Sequence, residues 1–238
     1  MKVLLVAVLI ISLIASGLTI SCGVVLKGSG NIKTEEYSFA DFNKIEISSA
    51  FEFEVIQSSV YSINITADDN VIEKVRVTKA GDTLKIYLET LPRLGSVTLK
   101  AVIHMPQLHS LDVSGAAHGI VNDFDSSNDV NIKLSGASKI EGNIIAGEAD
   151  FNISGASIVR LQGSAKDMVA NVSGASHFHL GDFIVNDANV NLSGFSTGTV
   201  NVTDHLDANL SGASKLSYVG DPVMGTINVS GGSSLNKQ

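Results

Sequence analysis

One short phrase, with the consensus Ser-Gly-Ala-Ser, occurs seven times in the second half of the chain and constrains the fold more than any other feature. Successive copies are 18 to 21 residues apart. Their first serines are Ser114, Ser135, Ser154, Ser173, Ser193, Ser211 and Ser230. A sequence period near twenty residues indicates a solenoid, in which each repeat packs against its neighbours.

The residues before each copy alternate between apolar and polar. In "FNISG", Phe151 and Ile153 would face one side of a strand and Asn152 the other. A period of two indicates β-structure, and the following glycine allows the chain to turn a corner. Helical repeats need a longer period, and the leucine-rich consensus is absent. We therefore predict an all-β fold, a single-stranded parallel β-helix with coils of about 18–21 residues and about three short strands in each coil.

One position of every coil is expected to form an outward column. Stacked asparagines can hydrogen-bond from coil to coil, and opposite charges are favourable neighbours where the column changes composition. We predict that this column is a structural ladder and not a binding surface. Its members are Asp112, Lys133, Asn152, Asn171, Asn191, Asn209 and Asn228.

The N-terminus has the pattern of an export signal: Lys2, a long apolar run, and small residues before Cys22, the only cysteine. "TISCG" resembles a lipobox, with Thr19 at the position where leucine is commonest. We predict a lipoprotein signal peptide over 1–21, a lipid-anchored tether over 22–35 beginning at a lipid-modified Cys22, and a β-helix domain over 36–238. The alternative is an uncleaved membrane helix. Both place the remainder outside the cytoplasm.

The first half lacks the repeated phrase but remains strand-like. "KIEISSA" resembles a degenerate copy of "DVSGA", and "KAGDT" is typical of a hairpin or corner. We interpret residues 36–110 as irregular coils of the same rod. A separate small β-sandwich is the alternative.

The order of several phrases is similar to that of a known family. "YSFADFNKIEISSAFEFEVIQ", "ADDNVIEKVRVTKAGDTLKIYL", "VIHMPQLHSLDVSGAA" and the serial "SGAS" copies resemble the putative auto-transporter adhesin, head GIN domain family. The resemblance covers roughly residues 36–225. It implies a right-handed parallel β-helix in a bacterial envelope protein, and it implies no catalytic residues.

Candidate sites for chemistry are few. The net charge of −8 and the absence of a basic stripe exclude a typical nucleic-acid binder. We interpret Glu141 and Arg160, expected on adjacent coils, as a surface ion pair and not as catalytic groups. His177 and His179 share a strand face that could bind a cation. They and Phe195 are weak candidates for binding, and Phe195 is expected to be partly buried.

We therefore expect a non-enzymatic, lipid-anchored protein of the bacterial cell envelope that binds a surface glycan, a matrix protein or an envelope protein. No catalytic residue, metal or cofactor is expected. Two alternatives remain open. The first is a carbohydrate-active β-helix enzyme, either a polysaccharide lyase or a hydrolase, which would need clustered carboxylates. The second is a structural spacer or assembly module that stacks through its open ends.

Overall fold

The computed structural model describes residues 25–89 and 93–238, which form twenty strands and one short helix. The elements of the first half are β1 (Val25–Leu26), β2 (Ile32–Tyr37), β3 (Lys44–Ile47), β4 (Glu52–Gln57), β5 (Ser62–Asp68), α1 (Asp69–Ile72), β6 (Val75–Ala80), β7 (Thr83–Leu88), β8 (Arg93–Leu94) and β9 (Leu99–Met105). The predicted all-β fold is confirmed.

The second half begins where the repeated phrase begins. Its strands are β10 (Ser110–Val113), β11 (His118–Asp125), β12 (Val130–Leu134), β13 (Lys139–Ile145), β14 (Glu148–Ile153), β15 (Ile158–Val172), β16 (His177–Leu192), β17 (Thr197–Leu210), β18 (Lys215–Val219), β19 (Val223–Val229) and β20 (Ser234–Lys237). Together the two halves place described strands from Val25 to Lys237.

Two stacks of parallel strands meet at the corners made by the repeated phrase. Strands that follow a corner form stack A, in the order β4, β11, β13, β15, β16, β17, β18 and β20. Strands that precede a corner form stack B, in the order β3, β10, β12, β14, β15, β16, β17 and β19. The predicted parallel β-helix is confirmed.

Each coil has two principal strand segments, where the sequence predicted about three short strands. The long strands β15, β16 and β17 pass from stack A to stack B without interruption. Their register shifts at the bend, for example between Leu180 and Ile184. The segment expected to be a third strand is thus a bend that remains paired with the adjacent coil.

The corners require glycine for two reasons. Gly136 has a φ of +74°, a conformation that side chains with a Cβ disfavour. A Cβ there would also lie 2.3 Å from the carbonyl oxygen of Gly115 in the coil below. The next residue of each corner donates its N–H to the glycine carbonyl of the adjacent coil, as Ala156 does to Gly136 at 2.8 Å. The phrase recurs because every coil turns the same corner against the same backbone.

An eighth corner lies in the first half. Strands β3 and β4 pair with β10 and β11, and the amide of Ala116 donates to the carbonyl of Ser49 at 2.9 Å. Ser49 takes the place of the corner glycine with a φ of +78°. The segment "KIEISSA" is therefore the corner of the lowest coil, formed by residues 44–57.

Below this coil, β7 and β9 still pair in parallel with β3 and β4, and the pattern becomes antiparallel beyond them. Strands β5 and β2 extend stack A in antiparallel pairs beyond β9, while β6 extends stack B antiparallel to β7. We call β2, β5, β6, β7 and β9 with α1 the cap, at the lower end of the rod. Its buried side chains belong to the same apolar core as the coils. The interpretation of residues 36–110 as irregular coils is correct only for residues 44–57, because the cap strands turn antiparallel. The alternative of a separate β-sandwich is wrong, because the core is shared.

The segment predicted to be a tether, 22–35, contains β1 and the start of β2 in its described part. The buried carboxylate of Asp68 accepts hydrogen bonds from the amides of Gly30 at 2.8 Å and Thr98 at 2.7 Å, and so holds this segment against the cap. The signal peptide, 1–21, and Cys22 lie outside the described residues. The proposed domain boundaries stay predictions.

Candidate functional site

The predicted ladder residues lie side by side in one outward column of stack B, from Asp112 to Asn228. The amide nitrogen of each upper asparagine donates to the amide oxygen of the asparagine below. The distances are 3.3 Å for Asn171 to Asn152, 3.0 Å for Asn191 to Asn171, 3.0 Å for Asn209 to Asn191 and 2.7 Å for Asn228 to Asn209. A side-chain amide has two N–H donors and an oxygen with two lone pairs. Asn171 and Asn209 therefore keep one donor and one acceptor for other partners, whereas Asn191 also donates to the Asn189 oxygen at 3.2 Å and keeps only an acceptor.

The lower end of the column is charged and extends further than the sequence analysis found. Below Lys133 and Asp112 the register continues to Glu46 and then Lys85. The ammonium of Lys85 contacts Glu46 at 2.6 Å. Burial raises the pKa of Asp112, Lys133 opposes that rise, and the neighbouring Glu46 adds to it. Glu46 was missed because no count from the repeated serines reaches it, although the resemblance of "KIEISSA" to "DVSGA" aligns it with Asp112.

A shallow groove of about 490 Å³ runs beside the ladder. Ile153, Val172 and Leu192 contribute apolar atoms to its lining. Its polar lining consists of ladder asparagines and the first serine of four corners: Asn152, Asn171, Asn191, Asn209, Ser154, Ser173, Ser193 and Ser211. The hydroxyls of Ser154 and Ser211 donate to carbonyls of the adjacent coil. Those of Ser173 and Ser193 form no hydrogen bond among the described residues. The groove therefore presents polar groups that repeat with the coil spacing.

The second serine of most corners points inward, which the sequence analysis missed. Ser138, Ser157 and Ser196 are at most 1% exposed, and each hydroxyl donates to the carbonyl of its own corner's first serine at 2.7–2.8 Å. These bonds satisfy a carbonyl at the turn. The signal available in the sequence was the strict spacing of three residues between the two serines.

Phe195 replaces alanine in one corner and is 73% exposed. The expectation that it would be partly buried is wrong, because the corner points away from the core and no neighbouring coil covers it. An exposed aromatic ring supplies a large apolar contact surface next to the polar groups of Ser193 and the groove.

The outward column of stack A contains Ile120, Glu141, Arg160, His179 and Thr199, in the register expected from the sequence. The carboxylate of Glu141 contacts Lys139 at 2.7 Å and Arg160 at 3.2 Å. The hydrogen bond from Lys139, together with Arg160, lowers the pKa of Glu141. Such a carboxylate is held ionised, as in an ion pair, whereas a general acid needs a raised pKa.

His177 and His179 lie on the same face of β16, as predicted. The ring of His177 is within 2.5 Å of the hydroxyl of Thr197. Burial, with the nearby charges of Arg160 and His177, lowers the pKa of His179, so it is neutral at pH 7. Among residues 25–89 and 93–238, no group of three or more His, Cys, Asp and Glu residues is arranged to hold a metal ion. The two histidines thus form no recognised metal centre.

Cys22, the predicted lipidation site, lies outside the described part of the chain. Within that part, no helix has the length and apolar character needed to cross a membrane.

Comparison with known proteins supports the fold. A family model described as putative auto-transporter adhesin, head GIN domain, matches residues 41–222, which confirms the resemblance found in the sequence. None of the curated proteins compared with the chain matches it.

Several solved structures have the same fold at low sequence identity. A putative adhesin from Bacteroides fragilis has a TM-score of 0.85 at 19% identity, covering 90% of this chain and 100% of that one. A putative adhesin from Parabacteroides merdae has a TM-score of 0.67 at 18% identity, covering 90% and 99%. A putative lipid binding protein from Parabacteroides distasonis has a TM-score of 0.64 at 19% identity, covering 90% and 100%.

Proposed function

Because the chain belongs to the putative auto-transporter adhesin, head GIN domain family, we propose that it is an extracytoplasmic adhesin-like module of the bacterial cell envelope. In this proposal the module binds a linear glycan along the groove beside the asparagine ladder, so the column that the sequence predicted to be structural only also takes part in binding. The module has no catalytic activity, and the lipid on Cys22 anchors it to a membrane.

One observation carries the proposal: the groove repeats the same polar groups from coil to coil. Adjacent strands are about 4.8 Å apart, so the asparagine and serine side chains recur at that spacing over four coils. Free amide acceptors remain on Asn171, Asn191 and Asn209, and free donors on Asn171 and Asn209. A linear glycan has hydroxyl groups at regular intervals and matches a row of such groups better than a compact ligand does. Many weak aligned contacts would supply the affinity, with Phe195 available for stacking against a sugar ring.

The proposal of no catalysis draws support from the state of the polar residues. The corner serines are repeated, so none is a unique nucleophile, and the Glu141 carboxylate is engaged by two cations.

The proposal of a lipid anchor draws support from the sequence around Cys22. Replacement Cys22→Ser in the intact precursor is expected to abolish labelling by a fatty-acid analogue and to release the protein from the membrane fraction.

The binding test uses residues 23–238, which contain every described strand and the core. This soluble domain is applied to arrays of glycans and matrix proteins, and the retained protein is measured. We expect retention on one class of linear glycan. If the domain binds none of the glycans, the proposal is wrong. If it is retained on matrix proteins alone, the ligand is a protein.

Two pairs of variants locate the binding surface. In the first pair, Ser173→Arg blocks the groove and Thr199→Arg places the same side chain on the outer face of stack A. Only the former should weaken binding, by at least about tenfold. In the second pair, Phe195→Ala is compared with Val60→Ala, since both residues are strongly exposed. Equal losses within both pairs would place the binding site elsewhere.

A further inference from the structure

The upper end of the rod has unpaired strand edges. Within the described residues, β19 pairs only with β17 and β20 pairs only with β18. The outer edges of both strands therefore present backbone N–H and C=O groups that pair with none of residues 25–89 and 93–238. Such edges are templates for pairing with another strand.

Core positions are uncovered at the same end. Val229 continues the inward column of Val172, Leu192 and Leu210, whose members are at most 2% exposed. Val229 itself is 45% exposed, because no other described strand packs over it. Leu235, which continues the column of the fully buried Leu216, is likewise only partly buried. An uncovered end of the apolar core thus accompanies the open strand edges.

The lower end is protected in ways that the upper end is not. Its edge strands are charged, with Lys33, Glu35 and Glu36 on β2, and Arg76 and Lys79 on β6. Charged side chains on edge strands oppose edge-to-edge pairing. Strand β19, by contrast, has the sequence "VMGTINV" and carries no charge, and the only charged residue of β20 is Lys237 at its end.

Charge also distinguishes the upper end from the rest of the molecule. Residues 215–238 contain only Lys215, Asp221 and Lys237, a net charge of +1 from two lysines and one aspartate, whereas the whole chain carries −8. Two copies with a net charge of −8 repel each other, and this repulsion is weakest where their nearly uncharged upper ends meet.

We propose that the open upper end of the rod binds the upper end of a second copy of this chain. Since the lower end is capped and charged, the contact joins like ends around a two-fold axis and closes as a dimer instead of growing into a filament. A two-fold axis perpendicular to both the rod and the edge strands places each meeting strand antiparallel to its own copy, an arrangement that pairs their free backbone groups. Val229 and Leu235 are buried in this contact.

The first test measures the mass of the soluble domain, residues 23–238, by sedimentation equilibrium over a range of concentrations. We expect twice the mass of one chain, dissociating on dilution. Val229→Lys should raise the dissociation constant by at least about 100-fold, because it places a charge in the contact. The matched control Val60→Lys puts the same charge at an exposed apolar site of the first half and should leave the dissociation constant unchanged. Circular dichroism checks that both variants fold.

The second test asks which ends meet. The soluble domain has no cysteine, so a spin label can be attached at Val223→Cys near the upper end or at Lys79→Cys on the lower edge. In the dimer labelled at position 223 we expect a short distance between the two labels. In the dimer labelled at position 79 we expect a distance about as long as the two rods together.

A monomer at all concentrations overturns the proposal and leaves the upper end to a different partner. Masses above two chains, equal weakening by both lysine variants, or a short distance at position 79 also overturn it. None of these measurements involves the glycan, so they are independent of the proposed function.

Discussion

The repeated coils (residues 110–238) and the cap extend the same two stacks of strands through different kinds of contact. Each inner coil has a similar coil on both sides, and it uses the same corner glycine and mostly the same ladder asparagine as its neighbours. The cap has the rod on one side only, and its main polar contact, made by Asp68, occurs once. The same residue type therefore recurs at equivalent positions wherever the adjacent coil has the same backbone and side chains. Where a coil packs against the cap instead, a different residue is found.

Ser49 shows this difference at a single position. It adopts the same left-handed conformation as the corner glycines, yet it carries a side chain. The strand below it, β7, belongs to the cap and does not turn the same corner, so the Cβ of Ser49 meets no glycine carbonyl. Its hydroxyl instead accepts a hydrogen bond from the amide of Leu88 at 3.4 Å.

The largest expected effect comes from adding a Cβ to an inner corner. Gly155→Ala puts that Cβ 2.3 Å from the carbonyl oxygen of Gly136, in a left-handed conformation. We expect the free energy of unfolding to fall by about 2–4 kcal/mol, as measured by urea denaturation. The reverse change in the lowest coil, Ser49→Gly, should alter it by less than about 1 kcal/mol. Similar costs for the two variants would contradict the distinction between inner and terminal corners.

A smaller effect is expected from the unique contact of the cap. Asp68→Ala leaves the amides of Gly30 and Thr98 without their acceptor, which should cost about 2 kcal/mol. Hydrogen exchange should accelerate at these two amides, while the amides of the repeated coils stay protected. Asp69→Asn, at a neighbouring carboxylate, serves as the control. Uniform acceleration along the chain would show instead that Asp68 stabilises the whole rod.

Removing a single member of the ladder should lower the free energy of unfolding by less, since the other members remain. Asn171→Ala removes the bonds to Asn152 and Asn191 at an exposed position, and we expect a loss of roughly 0.5–1 kcal/mol in thermal or urea unfolding. Asn64 lies at an outward position of the cap, and its side-chain amide has no hydrogen-bond partner among the described residues. Asn64→Ala should therefore change the free energy of unfolding very little. A loss as large as that of Asp68→Ala would mean that the ladder acts cooperatively.

The smallest effect concerns the charged end of the ladder and depends on pH. The pKa of Asp112 is raised in the folded chain, so folding favours its protonated form. The wild type should therefore gain stability relative to Asp112→Asn as the pH falls through the raised pKa, and the gain is complete below the ordinary carboxyl pKa of about 4. Urea midpoints from pH 7 to pH 3.5 measure this difference. A wild type that instead loses stability relative to the variant would contradict the role of burial.

The sequence predicted the contacts that depend on the repeat. The spacing of the corner serines placed Asn152 beside Asn171 and Glu141 beside Arg160, and both pairs are in contact in the structure. These predictions succeed because a parallel coil keeps one register, so a fixed offset from the corner identifies the neighbour.

Other contacts could not be predicted by counting residues from the corner serines. Glu46 lies beside Asp112 because residues 58–109 leave the rod, build part of the cap and return, and no period in the sequence records that excursion. The contact between Asp68 and Gly30 likewise joins segments with no repeat to align them. The exposure of Phe195 was predicted wrongly, because a corner residue's surroundings depend on how closely adjacent coils approach.

The sequence by itself determined the architecture of the rod: strands from the two-residue alternation, corners from the glycines, and the ladder from their common spacing. Only the tertiary structure decided how the rod ends. The lower end is closed by antiparallel strands, and the upper end leaves Val229 exposed. The physical reason is that a repeat specifies contacts between equivalent coils, whereas an end has no equivalent neighbour and depends on contacts between segments that are distant in the chain.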